Sequence, residues 1–218
     1  MSFIVKKTTR TSLLDYIAPL TCRGCGVLGS ALCECCKNNI IKNRKTTKLD
    51  SRVPGLPPIY VVDSRKNLIG TLIHDYKYNS VRALAPILTK LIDSIIPELS
   101  GNVSVVPLPT ISKHVRERGF DHTLKIAKLL KRYRGQNYKV QKLLLRNKNT
   151  VQVGADKTAR IAQAKTAYCI NPKIPIDKNT TYLLFDDVWT TGASLKEATK
   201  KLREAGAQKI IIAVLAVS

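Results

Sequence analysis

The chain reads as an α/β protein with a mainly parallel sheet flanked by helices, plus a small N-terminal four-cysteine module. Three observations carry that reading. The C-terminal end holds a β-α-β pattern: an apolar run at 182–185, a small-residue turn, an apolar stripe at helical spacing over 195–205, and a second apolar run at 209–217. Continuous apolar runs of this length suit strands covered on both faces, as in a parallel sheet between helix layers. Upstream, short apolar runs at 59–62 and 103–106 alternate with helical patterns. Finally, five of the six cysteines fall between positions 22 and 36.

At 218 residues and 44% apolar content the chain can bury one full core and carry an appendage. The expected division is residues 1–50 for the cysteine module with a basic linker and 51–218 for the main domain. No stretch approaches the roughly 20 apolar residues of a membrane span, and the first ten residues lack the apolar core of a signal peptide, so a cytoplasmic location is expected. Lys and Arg number 37 against 15 Asp and Glu, a net charge of +22. Such a field attracts polyanions: nucleic acid, a phosphorylated small molecule or an acidic membrane surface. Compositional drift in a chain rich in Ile and Asn gives the same surplus without a partner, and both readings stand.

Taken in order, Ser12 to Leu20 has the spacing of a short helix capped by Ser12. Two CxxC pairs follow, Cys22 with Cys25 and Cys33 with Cys36. Each pair presents two thiolates to one ion, and together they complete a tetrahedral zinc site with no open position, hence structural. Cys35 is left as a spectator. Disulfides are the alternative, disfavoured in a cytoplasmic chain. Residues 37–58 have linker composition, with 44–48 a basic strap. A strand at 59–62, helices over 65–78 and 81–96, and a strand at 103–106 come next; Pro107 and Pro109 end that strand by removing donors. Lys113, Arg116 and Arg118 follow within nine residues. With Pro107 and Leu108 they suit a second anionic group, pyrophosphate being the natural candidate and a solvated basic loop the alternative. A helix over 123–133 completes the middle, and lone Cys169 reads as a small apolar residue.

In the C-terminal unit the strand is expected to end at Asp186 and Asp187. Thr190, Thr191, Gly192, Ala193 and Ser194 then form a turn whose small side chains let backbone N–H groups converge, with three hydroxyls as added donors. The following helix points its positive end into that turn, and Gly206 sits where a helix ends in a left-handed residue. A phosphate in the turn and a diol on the carboxylates together describe a ribose 5-phosphate.

The segment from the apolar strand through Ser194 resembles the phosphoribosyl pyrophosphate (PRPP) signature of type I phosphoribosyltransferases. The resemblance implies that Asp186 and Asp187 bind the ribose 2′ and 3′ hydroxyls, that residues 190–194 bind the 5′-phosphate, and that Mg2+ accompanies PRPP. The whole order of parts is similar to the ComF family of competence-associated relatives of those enzymes. The carriers are the two CxxC pairs, Tyr76-Lys77-Tyr78, Val106 to Pro109, Arg116 to Phe120, Arg146 with Gln152 and Arg160, and Asp186 to Ser194. This likeness implies a phosphoribosyltransferase-like core and a role in DNA uptake through binding of single-stranded DNA. It further implies partners in the uptake machinery, such as a competence helicase. The alternative is a Mg2+-dependent transferase of ribose 5-phosphate to an acceptor, with no general base assigned. Tyr76, Tyr78, Tyr133 and Tyr138 are candidates to stack on bases. The chain departs from the family at Asp121-His122, where members usually carry Asn-Gln, and at Gln163, where an Asn is usual shortly after the arginine matched by Arg160.

Overall fold

The apolar runs lie side by side in one sheet. A computed structural model of the chain describes residues 20–43, 47–48, 55–147 and 167–218. In chain order its elements are α1 (Glu34–Asn43), β1 (Thr47–Lys48), β2 (Ile59–Ser64), α2 (Leu68–Tyr78), α3 (Leu84–Asp93), β3 (Val103–Pro107), α4 (Ser112–Arg118), α5 (His122–Arg134), β4 (Tyr138–Val140), β5 (Leu144–Arg146), β6 (Tyr168–Ile170), β7 (Thr181–Trp189), α6 (Ala193–Glu204) and β8 (Lys209–Val217). The sheet order is β1-β2-β8-β7-β3-β4, with β2, β8, β7, β3 and β4 parallel and β1 antiparallel at one edge. Strands β5 and β6 pair with each other, antiparallel, as a separate ribbon. No helix among the described residues is long and apolar enough to cross a membrane.

Alternation along β7 builds a core on each face of the sheet. Leu183 and Phe185 pack with Ile69 and Leu72 of α2, Leu88 and Leu91 of α3, and Ile126 and Leu130 of α5. Tyr182 and Leu184 point the other way, against Leu195, Ala198 and Leu202 of α6. Each such fully buried Leu or Ile contributes about 2 kcal/mol by leaving water. From β3 the chain moves outward through α4 and α5 to β4, whereas from β7 it moves the opposite way through α6 to β8. A right-handed connection in opposite directions puts α5 and α6 on opposite faces, and the gap between the ends of β3 and β7 is the switch point where α/β sheets open a crevice.

The strand carrying the acidic pair does not stop there. β7 continues to Trp189 because β8 keeps pairing with it, Asp186 opposite Val214 and Trp189 opposite Val217. On its other side β3 ends at Pro107, opposite Phe185. Leu108 N–H makes one more bond, to Phe185 O at 2.8 Å, and the chain turns away. Two carboxylates are thus left on a strand edge that has lost its neighbour.

The cysteine module shares the larger core. Cys22, Ala31, Leu32 and Ile40 are buried in the same cluster as α2 and α3. Arg23 adds an ion pair from its Nε to Asp75 Oδ2 on α2, while its Nη1 donates to Thr21 O at 3.1 Å. Burial alone would raise the Asp75 carboxyl, but Arg23, Asn79 and His74 hold it below its ordinary value.

Several sequence expectations shift. Helix α1 occupies the first part of the expected linker, anchored by buried Ile40, and residues 47–48 of the strap pair with β2 as β1. The helix expected at 12–20, residues 44–46 of the strap and the boundary near 50 lie outside the described residues, apart from Leu20. The basic stretch after β3 contains the short helix α4, which buries none of its residues and so leaves no apolar stripe to read. Strands β4, β5 and β6, three residues each, are too short to show alternation. Cys169 is half-buried rather than fully enclosed.

Candidate functional site

The crevice beyond β3 and β7 is a cavity of about 260 Å3 whose walls include Asp186, Asp187, Lys77, Arg118, His122, Arg146, Tyr168 and Ser194. Each side chain arrives from a different element. Asp187 follows Leu183 and Phe185 onto the α2/α5 face, where Lys77 Nζ pairs with its Oδ2 and His122 Nε2 lies 3.4 Å from the same oxygen. Asp186 faces the α6 layer, and its Oδ1 accepts the Asp187 N–H at 2.9 Å. The acidic pair therefore straddles the sheet while lining one cavity.

The two carboxyls are driven apart in acidity. Burial, together with the charge of Asp187 beside it, pushes Asp186 well above the ordinary carboxylate range. Burial opposes ionisation of Asp187 as well, but the hydrogen bond from His122 and the Lys77 ammonium outweigh it and hold that carboxyl below the usual range. Asp187 is thus a fixed anion, and Asp186 an acid that forms no ion pair among the described residues.

Below them the turn forms a niche of about 40 Å3 bounded by residues 186 and 188–195. Gly192 caps α6 in the left-handed conformation, φ 73°. A Cβ there would lie 2.7 Å from Trp189 Nε1, so only glycine lets the turn close over the indole. Trp189 is the last residue of β7 and is buried against the α6 core, an apolar anchor beneath the loop. At the far end of α6, Ala207 N–H bonds Leu202 O and Gly206 is left-handed, φ 101°, the expected helix stop.

The cations predicted for a second anionic group separate. Arg118 and Leu108 line the cavity of the acidic pair. Pro107, Leu108 and Arg116 line an adjoining compartment of about 530 Å3, closed on its far side by Lys142, Leu144, Leu145 and Arg146. Lys113 lines neither and is largely exposed beside Glu117. Arg118 sits over the Tyr78 ring, 5.0 Å from its centroid, with Nη1 3.1 Å from His122 Nδ1. Arg146 borders both compartments; its Nη1 is 3.4 Å from the Tyr168 hydroxyl, and its Nε is buried without a hydrogen-bond partner among the described residues. Tyr168 is itself raised by burial, opposed by the Arg146 charge and a hydrogen bond with Ser194.

Sequence reasoning gave Lys77, His122, Arg146 and Tyr168 no part in the site. Lys77 and Arg146 occur in the stretches carrying the family resemblance, His122 is one of its departures, and nothing in the sequence marks Tyr168. Of the four tyrosines offered for stacking, Tyr78 and Tyr133 are exposed, whereas Tyr76 and Tyr138 are buried and cannot meet a base. Gln152, Arg160 and Gln163 lie outside the described residues.

No protein-family model matches the chain, and no curated protein matches it.

The second candidate centre is the cysteine cluster. The Sγ atoms of Cys22, Cys25, Cys33 and Cys36 all lie within 4.8 Å of one another, with Cys25 and Cys33 at 3.7 Å. Four thiolates at about 2.3 Å from one Zn2+ stand about 3.8 Å apart, so the cluster can hold a zinc ion. Exposed Cys35 stays outside it. Backbone N–H groups of Gly24 and Cys33 each lie 3.4 Å from Cys22 Sγ. Burial opposes ionisation of that thiol, but those groups and the N–H of Cys25 bring it down to about 6. Cys36 is pushed far up, first by its contact with Cys33 and then by burial. Four crowded thiols cannot all ionise without a cation among them, which is the condition a metal relieves.

Two predictions arise here. Asn cannot ionise, so Asp186→Asn should match the parent below about pH 3 and become progressively more stable than it as pH rises above the ordinary carboxylate pKa of about 3.9. Urea melts across pH test this, and an unchanged or lower midpoint at neutral pH would contradict the burial of that charge. A Cβ on Gly24 would lie 2.7 Å from Cys36 Sγ and 3.0 Å from Leu68 Cδ2. Gly24→Ala should therefore weaken zinc retention roughly tenfold or more in chelator competition.

Proposed function

We propose that the crevice binds the ribose 5-phosphate part of PRPP in a ComF-like chain built on a phosphoribosyltransferase-type core. The observation that carries this is the conjunction at the end of β7: two carboxylates facing a cavity and, one turn on, a glycine-hinged niche at the N-terminus of α6. A diol hydrogen-bonds to carboxylates, and a phosphate meets orphan N–H groups and the positive helix end. Arg118 and Arg146 are the cations in reach of a diphosphate. Asp186 suits Mg2+: an oxygen donor whose acidity is weakened by burial and by the Asp187 charge, to be completed by ligand phosphates. Bound with PRPP, Mg2+ would neutralise diphosphate charge; Asp187, committed to Lys77 and His122, orients the diol.

PRPP with Mg2+, at about 100-fold above its Kd, should raise Tm by roughly 5–10 °C. Asp186→Asn, which should be the more stable protein without ligand, should lose that shift. An equal shift in the variant would remove the pocket assignment, because its direction cannot be confused with loss of folding.

A second reading rests on a separate observation. The outer face of α5 exposes Lys125, Lys128, Lys131 and Arg132, with Tyr133 exposed beside them. Cations at this spacing follow a phosphate backbone, and an exposed ring offers a stacking surface, which supports binding of single-stranded DNA. The log of affinity for a short oligonucleotide should fall linearly with log salt, by about 0.7 per phosphate neutralised. Replacing those four cations by alanine should flatten the slope by up to about 3. An unchanged slope would move the DNA elsewhere, and no binding near physiological salt would end the reading.

A further inference from the structure

The Asp121-His122 pair stands at the start of α5, between the two ends of the crevice. Asp121 is the helix cap, its Oδ1 accepting the Leu124 N–H at 3.1 Å and the Thr123 hydroxyl at 2.9 Å. Thr123 Oγ1 lies 3.1 Å from Leu108 O, and Tyr76 donates its hydroxyl to His122 O at 3.3 Å. The backbone of His122 is therefore fixed from three sides, and its side chain is buried at the cavity wall.

The partners of the ring determine its proton. A guanidinium donates and never accepts, so Arg118 Nη1, 3.1 Å from Nδ1, requires a lone pair on that nitrogen. Thr110 Oγ1, 3.4 Å from the same atom, can donate as well. The ring proton then belongs on Nε2, which faces Asp187 Oδ2 at 3.4 Å, and an ionised carboxylate only accepts. Both neighbours demand the same tautomer. Lys77 from α2 pairs with the same Asp187 oxygen.

We propose that His122 is a positioning residue: as the Nε2–H tautomer it accepts from Arg118 and donates to Asp187, so that the cavity's anion-binding cation and its fixed carboxylate are set by one ring. A shift of Arg118 would break its hydrogen bond to the ring, and a shift of the ring would open its 3.4 Å contact with Asp187. The requirement is one acceptor and one donor on a short planar group, not an imidazole as such. A glutamine amide offers both; leucine, of similar volume, offers neither.

Two measurements decide this. The ring 15N shifts of His122 at neutral pH should show a protonated Nε2 and an unprotonated Nδ1; protonation at Nδ1, or at both nitrogens, overturns the proposal whether or not any ligand binds. For function, calorimetry with PRPP and Mg2+ should find His122→Leu about tenfold weaker than the parent, the worth of one hydrogen bond to a charged group. His122→Gln should lie within about twofold of the parent, since its amide supplies both roles. A glutamine variant as weak as leucine, with both folded by their melting curves, also overturns it. This binding arm rests on the ribose-phosphate reading: if the parent itself fails to bind PRPP, that reading falls, and the tautomer still decides the assignment of His122.

Discussion

Asp187 is an ionised carboxylate at the end of a parallel sheet, almost wholly out of water. A charge so placed costs several kcal/mol unless it is met by an opposite charge and hydrogen bonds. Lys77 from the last turn of α2 and His122 from the first turn of α5 meet it. Both helices belong to the same layer, and both reach the charge because β3 stops at Pro107 and leaves β7 uncovered on that side. The position of two helices relative to the sheet end is thereby tied to one oxygen atom. α2 carries the constraint further. Asp75, half a turn before Lys77, pairs with Arg23 between the first two zinc-ligand candidates, so the cysteine cluster and the crevice are linked through one short rigid helix.

The opposite face obeys a looser rule. Asp186 turns toward α6 and Tyr168, where none of the described lysines or histidines pairs with it, and burial beside the Asp187 charge weakens its acidity. The difference between adjacent residues follows from strand geometry: successive side chains fall on opposite faces, and only one face carries α2 and α5. A site with one ion-paired carboxylate and one buried acid is pre-organised but not neutralised. It gains from a ligand that brings a cation or hydroxyl donors to Asp186, and the free protein bears the cost of that arrangement.

Much of the framework was legible because it rests on patterns longer than a few residues. The runs at 59–62, 103–106, 182–185 and 209–217 became strands of one sheet, and the stripe through Leu195, Ala198 and Leu202 became the buried face of α6. The four cysteines converge as their spacing implies. What escaped has a common cause. The length of β7 depends on the partner β8, not on its own polarity, so the acidic pair looked like a strand end. Helix α4 buries nothing, and β4 to β6 are held by neighbours rather than by alternation. Lys77, His122, Arg146 and Tyr168 enter the crevice from four elements far apart in sequence. No local spacing records that they meet, whereas Asp186 to Ser194, contiguous in the chain, could be read directly.

The surplus of positive charge belongs to this arrangement rather than lying apart from it. Inside the crevice the cations are constrained: Lys77 is spent on Asp187, Arg118 is held between the Tyr78 ring and His122, and Arg146 spans two compartments beside Tyr168. On the outer face of α5 they are exposed and free of such geometry. Fixed cations select a shape, because a guanidinium locked by neighbours accepts an anion only from one direction. Free ones set a field that draws polyanions without choosing among them. α5 touches both environments, with His122, the ring against Arg118, at its buried N-terminal end and Lys125, Lys128, Lys131 and Arg132 along its outside, so a single helix joins the selective crevice to the unselective surface.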